Sequence, residues 1–155
     1  MDLIPPALDS VAAIGATLVD VYLYDLVDLT TADTRTNYTL VNRVTVSNAT
    51  RDAVDFTLVH LTVSTMVSAT TYNLTVNGVQ DLNSNAISGG SGSFTFYNVQ
   101  PANFQDVVIN EIFADTSTQV GLPTTEFLEL LNRSTNVIDL GGMIINDGSD
   151  KTLPS

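Results

Sequence analysis

The stretch Thr70-Thr71-Tyr72-Asn73-Leu74-Thr75-Val76-Asn77-Gly78 decides the fold of this chain. Within it, Tyr72, Leu74 and Val76 alternate with polar side chains, which is the period of a β-strand that buries one face. Asn77-Gly78 then predicts a chain reversal, because glycine accepts backbone angles that tight turns require. A strand with one apolar face needs a second sheet to cover it, so the stretch predicts a β-sandwich.

Similar short runs lie on both sides of this strand, and valine and threonine, which favour pleated surfaces, are abundant. In the first run Val19, Val21 and Leu23 predict a buried face, with Asp20 and Tyr22 facing outward. The further predicted strands are residues 38–40, 44–46, 53–63 and 93–99. We therefore predict an all-β chain in which residues 1–100 form one sandwich and residues 101–155 a second, incomplete β module.

Composition excludes several functions. Acidic residues outnumber basic ones by 17 to 5, for a formal net charge of -12, which repels nucleic acid and anionic membranes. The absence of cysteine excludes disulfides and thiol chemistry. No run reaches transmembrane length, and residues 1–6 do not resemble a signal peptide. These features leave an intracellular chain or, as we expect, a piece of a longer secreted protein.

The segment Asp81-Leu82-Asn83-Ser84-Asn85 contains the candidate metal ligands. Asp81, Asn83 and Asn85 have the opening spacing of a calcium loop. Ala86 and Gly92, however, stand where that pattern requires glycine and a bidentate glutamate. We expect these side chains to hydrogen-bond their own turn, with calcium binding as the alternative.

Three further acids, Asp25, Asp28 and Asp33, predict either a solvated loop, which we favour, or a cation site. Thr30 to Asp33 predicts a single helical turn capped by threonine. His60, the only histidine, lies in a predicted strand with no acid close by in the sequence, so we expect a surface or rim residue and neither a base nor a ligand.

The order of these elements resembles the bacterial immunoglobulin-like domain of S-layer proteins. The matching features are Pro5-Pro6, Tyr24-Asp25, residues 37–40, residues 56–63, and the strand from Thr71 through Gly78-Val79 to Asp81, Asn85 and Phe94. Ser84 stands where that family usually has glycine. The resemblance covers residues 5–98 and implies a seven-strand Greek-key sandwich that serves as a spacer or adhesive module, without catalytic residues.

Residues 101–155 resemble the opening half of a lamin-tail domain, another immunoglobulin-like fold. The matching segments are 109–112, Leu122-Pro123, Glu126 to Asn132, and 138–142 leading to Asp147. Periodicity alone leaves 126–132 open between helix and strand, and the resemblance favours a strand. The second half of that family's fold is missing after Ser155. We expect residues 101–155 to be less well ordered than 1–100, or to borrow a neighbour's sheet edge.

These patterns predict no enzyme and no cofactor. Glu126 and Glu129 fall on opposite faces of the predicted strand, so with Glu111 they predict solvent-exposed or sheet-rim carboxylates. We predict a non-catalytic spacer or adhesion module of a multidomain bacterial surface or secreted protein, located outside the cell. Its partners are neighbouring modules of its own chain and a cell-surface protein or carbohydrate, without nucleic acid or membrane insertion. The alternative is a carbohydrate- or protein-binding accessory module of a secreted enzyme.

Overall fold

Seven strands in two facing sheets make up the first part of the chain. A computed structural model describes residues 2–113, 125–146, 148 and 150–154. Within it the chain forms two compact units, Met1–Asn98 and Val99–Ser155. The strands of the first unit are β1 (Leu8–Gly15), β2 (Leu18–Leu23), β3 (Tyr38–Leu40), β4 (Val46–Arg51), β5 (Leu58–Val63), β6 (Thr70–Val76) and β7 (Gly90–Phe96).

The topology of the first unit is that of an immunoglobulin domain. One sheet has the order β1-β2-β5-β4 and the other β3-β6-β7, with every strand pair antiparallel. This is the division of strands into two sheets that defines the seven-strand immunoglobulin sandwich. The predicted all-β, immunoglobulin-like fold is confirmed.

The core forms where the predicted apolar faces meet. Val21, Val59, Leu61, Leu74 and Val76 have no exposed surface, and they come from β2, β5 and β6, the inner strands of the two sheets. Burying each such side chain contributes about 1.5–3 kcal/mol relative to leaving it in water. The side chains that the alternation predicts to be buried therefore supply much of the free energy that holds the two sheets together.

Tyr72 adds a polar tie to this core. Its ring is 2% exposed and stacks on Phe94, with 5.8 Å between the ring centroids. Its hydroxyl accepts the backbone N–H of Val67 at 2.8 Å, in the connection that precedes β6. This geometry is a tyrosine corner, in which a tyrosine early in the sixth strand fixes the preceding crossover.

The connection after β6 is longer than predicted. Gly78 has the positive φ, 76°, that we expected. The partner strand nevertheless begins only at Gly90, because the chain first leaves to pair with the segment after β2, where the Asp28 N–H donates to the Gln80 carbonyl at 2.8 Å. It returns where the Gly78 N–H donates to the Ile87 carbonyl at 2.8 Å. The reversal therefore takes residues 77–89 and does not form a two-residue hairpin.

Two further local predictions need correction. The helical turn is α1 (Leu29–Ala32), and its cap is Asp28, whose carboxylate accepts the Thr31 N–H at 2.9 Å, not a threonine. A 3₁₀ turn follows at Arg35–Asn37. Asp20, predicted to face outward into solvent, is only 7% exposed, because β2 is an interior strand and neighbouring side chains cover it.

The described residues of the second unit form three two-stranded pairs. Its strands are β8 (Val99–Gln100), β9 (Val107–Phe113), β10 (Phe127–Asn132), β11 (Val137–Ile138), β12 (Ile144–Asn146) and β13 (Asp150–Thr152). β9–β10 and β12–β13 are antiparallel and β8–β11 is parallel, so the strand alternative for 126–132 is correct. The matched residues Leu122-Pro123 and Asp147 lie outside the described residues.

The second unit lacks a closed core among its described residues. All of the fully buried hydrophobic side chains of the described chain belong to the first unit. Ile109, Ile112 and Ile144 are each more than half exposed. Open grooves of about 310 and 420 Å³ lie beside them, within the second unit.

Candidate functional site

The candidate ligand Asp81 lies in a turn that it closes itself. One of its carboxylate oxygens accepts the backbone N–H groups of Asn83 and Asn85, both at 2.8 Å. The other accepts the side-chain amide of Asn85 at 2.7 Å. The structure thus brings together the three predicted residues, but as a hydrogen-bonded turn in which both oxygens of Asp81 already accept N–H donors.

The electrostatics of this turn favour the charged carboxylate. Burial opposes ionisation of Asp81, but the hydrogen bonds from the Asn85 side chain and from the Asn85 and Asn83 amides outweigh it and hold its pKa below the usual value. The charge is therefore already stabilised by neutral donors. A cation would have to displace these donors, so calcium binding by Asp81, Asn83 and Asn85 remains the alternative.

A small cavity of about 180 Å³ opens beside this turn. Asp2, Asp25 and Asp81 line it together with Asn83. Elsewhere the acids of this region serve the fold: Asp28 caps α1, and Asp33 accepts the Arg51 N–H at 2.7 Å. Among the described residues no three histidine or acidic side chains form a group that could hold a metal ion.

Ser84 has a left-handed backbone conformation, which glycine adopts more easily than serine. The S-layer-type domains that this segment resembles usually have glycine at this position. The φ of Ser84 is 69°, in the left-handed region that non-glycine residues adopt at a cost. The Ser84 N–H donates to the Asp81 carbonyl at 3.3 Å, which keeps the turn closed. The departure from the family pattern therefore leaves the turn in place.

His60 is where sequence reasoning missed a cluster. Its Nδ1 lies 2.7 Å from an Asp20 carboxylate oxygen, and its Nε2 lies 3.2 Å from one of Asp52. Its side chain is 40% exposed, in agreement with a rim position. The hydrogen bonds that the ring makes to the Asp20 and then the Asp52 carboxylate raise the pKa of His60 above its ordinary value, against the effect of burial.

The sequence held one signal for this cluster. β4 and β5 form a hairpin, so the turn residue Asp52 returns to the level of His60. Asp20 is the cross-strand partner of His60, and this register between β2 and β5 cannot be read from either strand alone. Since both ring nitrogens face carboxylates, the imidazole presents no free nitrogen to a substrate or a metal.

The glutamates of the second unit are exposed. Glu111 and Glu129 are direct cross-strand partners on β9 and β10, and the Asn110 amide donates to Glu129 at 2.6 Å. Glu126 precedes β10 and lines an open groove with Lys151. These positions agree with the sheet-rim carboxylates that the sequence predicts.

Comparisons with known proteins place this fold among S-layer structures. No protein-family model and no curated protein matches the chain. Among solved structures, the N-terminal part of the bacterial S-layer protein SbsC matches 97% of this chain with a TM-score of 0.60 and 19% identity. The structure of SbsC domains 1–6 matches 97% of this chain with a TM-score of 0.59 and 16% identity. The structure of rSbsC(31-844) matches 96% of this chain with a TM-score of 0.59 and 17% identity.

The likeness is one of fold. The chain spans 38% of the first of these structures and 22% of each of the other two. The class is therefore an all-β chain with an immunoglobulin-like first unit and the fold of SbsC domains. No helix in the described part of the chain has the length and apolar character needed to cross a membrane.

Proposed function

We propose that this chain is a non-catalytic structural module that spaces or joins other modules in a multidomain bacterial cell-surface or secreted protein. The observation that carries the proposal is the extent of the fold likeness. Nearly the whole chain matches S-layer SbsC domains, yet it spans only 22% to 38% of those structures. A module of that kind works through its shape and stiffness, not through a reactive group.

The use of side chains in the first unit supports a structural role. The buried set is almost entirely hydrophobic, and the two buried carboxylates, Asp20 and Asp81, are hydrogen-bonded within the fold. The net charge of -12 keeps such a module soluble and away from anionic lipid and nucleic acid. These features suit an extracellular spacer.

For the second unit, we propose a lamin-tail-like segment that completes its core against a neighbouring module. Its exposed apolar residues Ile109, Ile112 and Ile144 and its open grooves provide a surface that another sheet would cover. In the isolated chain we expect weaker amide-exchange protection in residues 99–155 than in 1–98. Equal protection of the two parts would contradict this.

A replacement experiment tests the spacer role. In the parent protein, the chain would be exchanged for an unrelated β-sandwich of similar length or for a flexible Gly/Ser linker. A spacer predicts that the sandwich restores surface display and assembly, while the linker does not. If neither replacement restores function, the chain has a specific binding role and the proposal is wrong.

The alternative is a carbohydrate- or protein-binding accessory module. Exposed aromatic rings favour it: Tyr24 is 70% exposed, and Tyr97 and Phe104 are also exposed. Aromatic side chains commonly provide the contact surface of recognition sites. Binding to a glycan array that is lost in Tyr24→Ala, with unchanged far-ultraviolet circular dichroism, would favour this function over a spacer.

A further inference from the structure

We propose that protonation of His60 latches the turn Asp52–Thr57 onto the outer face of the four-stranded sheet, and that its deprotonation loosens the turn. The imidazole stands between two carboxylates that belong to different parts of the fold. Asp20 lies on β2, while Asp52 begins the turn that connects β4 to β5. The ring therefore joins sheet and turn through its two nitrogens.

The chemistry of imidazole makes this link depend on its proton. The imidazolium form donates from both nitrogens, so it can satisfy Asp20 and Asp52 together. The neutral form has only one N–H, and its other nitrogen then turns a lone pair toward a carboxylate. One of the two contacts must weaken when the proton leaves.

When His60 loses its proton, we expect the hydrogen bond to Asp52 to weaken and the one to Asp20 to remain. The Asp52 contact is the longer of the two, 3.2 Å against 2.7 Å, and the Asp52 side chain is 31% exposed while that of Asp20 is 10% exposed. Asp52 also accepts the N–H groups of Val54 and Asp55, so its charge remains satisfied without His60. Asp20, in contrast, is buried and depends on the histidine.

The groups around the ring do not compete with this assignment. On the same sheet face β2 contributes Asp20 and Tyr22, and β4 contributes Thr50 opposite His60. The turn contributes Asp52 and Asp55. Arg51, the nearest base in sequence, is engaged elsewhere: it donates to the Val27 carbonyl at 2.6 Å and lies over the Phe56 ring.

The turn is also bonded to the segment that leaves β2, so losing the His60–Asp52 contact loosens the turn without freeing it, and the loosening reaches that segment. The Phe56 carbonyl accepts the Val27 N–H at 3.0 Å, and the Thr57 carbonyl accepts that of Leu23 at 2.9 Å. A protonated His60 thus stiffens the turn and the segment that leaves β2. The carboxylates on both sides of the ring favour the protonated form, so the hydrogen bonds to Asp20 and then Asp52 raise the pKa of His60 above its ordinary value.

Nuclear magnetic resonance of the full chain tests the latch. The His60 ring signals and the backbone amides of Val54 and Asp55 would be followed as the pH rises. We expect one shared midpoint above 6.5, the ordinary pKa of histidine, and greater mobility of the turn above that midpoint. The pH response of both amides should be lost in His60→Gln, and the midpoint should fall in Asp52→Asn.

Asp2→Asn is the matched control, since it removes the same charge from a residue whose hydrogen bonds run to Ile4 and Asn85. It should leave the shared midpoint unchanged. Amides of the turn that do not respond while His60 titrates, or that respond equally in His60→Gln, would overturn the proposal. If His60→Gln does not fold, the coincidence of the two midpoints in the unmodified chain decides the question.

Discussion

The hydroxyl of Tyr72 accepts the backbone N–H of Val67 at 2.8 Å, across the connection that crosses between the two sheets. The same ring stacks on Phe94, with 5.8 Å between the ring centroids. One side chain therefore fixes both the core and the crossover that leads into β6.

Tyr72→Phe tests this tie. The substitution keeps the ring in the core but removes the acceptor, so the Val67 N–H loses its partner. We expect a loss of about 1–3 kcal/mol in the free energy of unfolding, measured by urea denaturation. Tyr97→Phe, at an exposed tyrosine, should change stability little, and an equal loss in both variants would contradict a specific role for Tyr72.

Ser84→Gly should stabilise the first unit. Serine at φ 69° has a steric cost, because its Cβ crowds the backbone in the left-handed conformation, and glycine lacks that Cβ. After allowing for the greater unfolded-state freedom of glycine, we expect a gain of about 0.5–1 kcal/mol in the free energy of unfolding. Ser93→Gly, within β7, is the control and should destabilise; a loss of stability in Ser84→Gly would show that the turn is not strained.

Gly90→Ala should destabilise the start of β7. A Cβ at Gly90 would overlap Cδ1 of the buried Ile87 and lie 3.1 Å from its Cγ1. Overpacking of this kind costs about 1–3 kcal/mol, measurable as a lower melting temperature. Gly15→Ala places its Cβ no closer than 3.8 Å to a neighbour and should be tolerated, so similar effects of both changes would argue against tight packing at Gly90.

The stability of the first unit should depend on pH on both sides of a plateau. The raised pKa of His60, caused by Asp20 and Asp52, means that its contribution is complete below 6.5 and is lost as the pH rises through the folded value. Hydrogen bonds from the amides of Asp55 and Val54, and from His60, lower the pKa of Asp52 from 3.8 to about 2. Its contribution is therefore complete above 3.8 and is lost as the pH falls through the folded value.

Urea denaturation at about pH 5 and about pH 8 measures the alkaline side of this plateau. We expect lower stability at the higher pH, and an equal stability at both values in His60→Gln. Stability that rises from the lower to the higher pH in the unmodified chain would contradict the assigned direction.

Calcium should have little effect on the melting temperature. Both carboxylate oxygens of Asp81 accept N–H donors, and a cation could bind only by displacing them. A bound ion would stabilise the folded state by a free energy that grows with the logarithm of the ratio of the ion concentration to the dissociation constant, and it would therefore raise the melting temperature. An increase with millimolar calcium that disappears in Asp81→Asn would instead identify a calcium site at Asp81, Asn83 and Asn85.

The sequence was sufficient for β2, β3, β5 and β6 and for their buried faces, but not for every strand. It missed β1 (Leu8–Gly15), and it predicted strand at 44–46 and 53–57, whereas the structure has β4 at Val46–Arg51 and a turn before Leu58. Tyr72, Leu74 and Val76 are buried as their alternation predicts, because a strand places every second side chain on the same face. The Asp81 turn was also predictable, since its hydrogen bonds join residues two and four positions apart.

The remaining features depend on contacts between distant segments. Asp20 and His60 are 40 residues apart, and they meet only because β2 and β5 pair in one particular register. The turn after Val76 differed from prediction for the same reason: the connection pairs with a distant segment, since the Asp28 N–H donates to the Gln80 carbonyl and Val27 bridges to Asp81. Local patterns describe elements, whereas cross-strand register decides which side chains become neighbours.

Leu8 lies beside Gly90 and Val11 beside Gly92, so the first and last strands of the sandwich run alongside each other in the same direction. Tension applied through the two ends of the unit would therefore pull β1 and β7 lengthwise past each other, in shear, and would not peel them apart one contact at a time. Because β1 pairs with β2 and β7 with β6, that load would fall on the packing of Leu8 and Val11 against β7 and not on a shared backbone ladder.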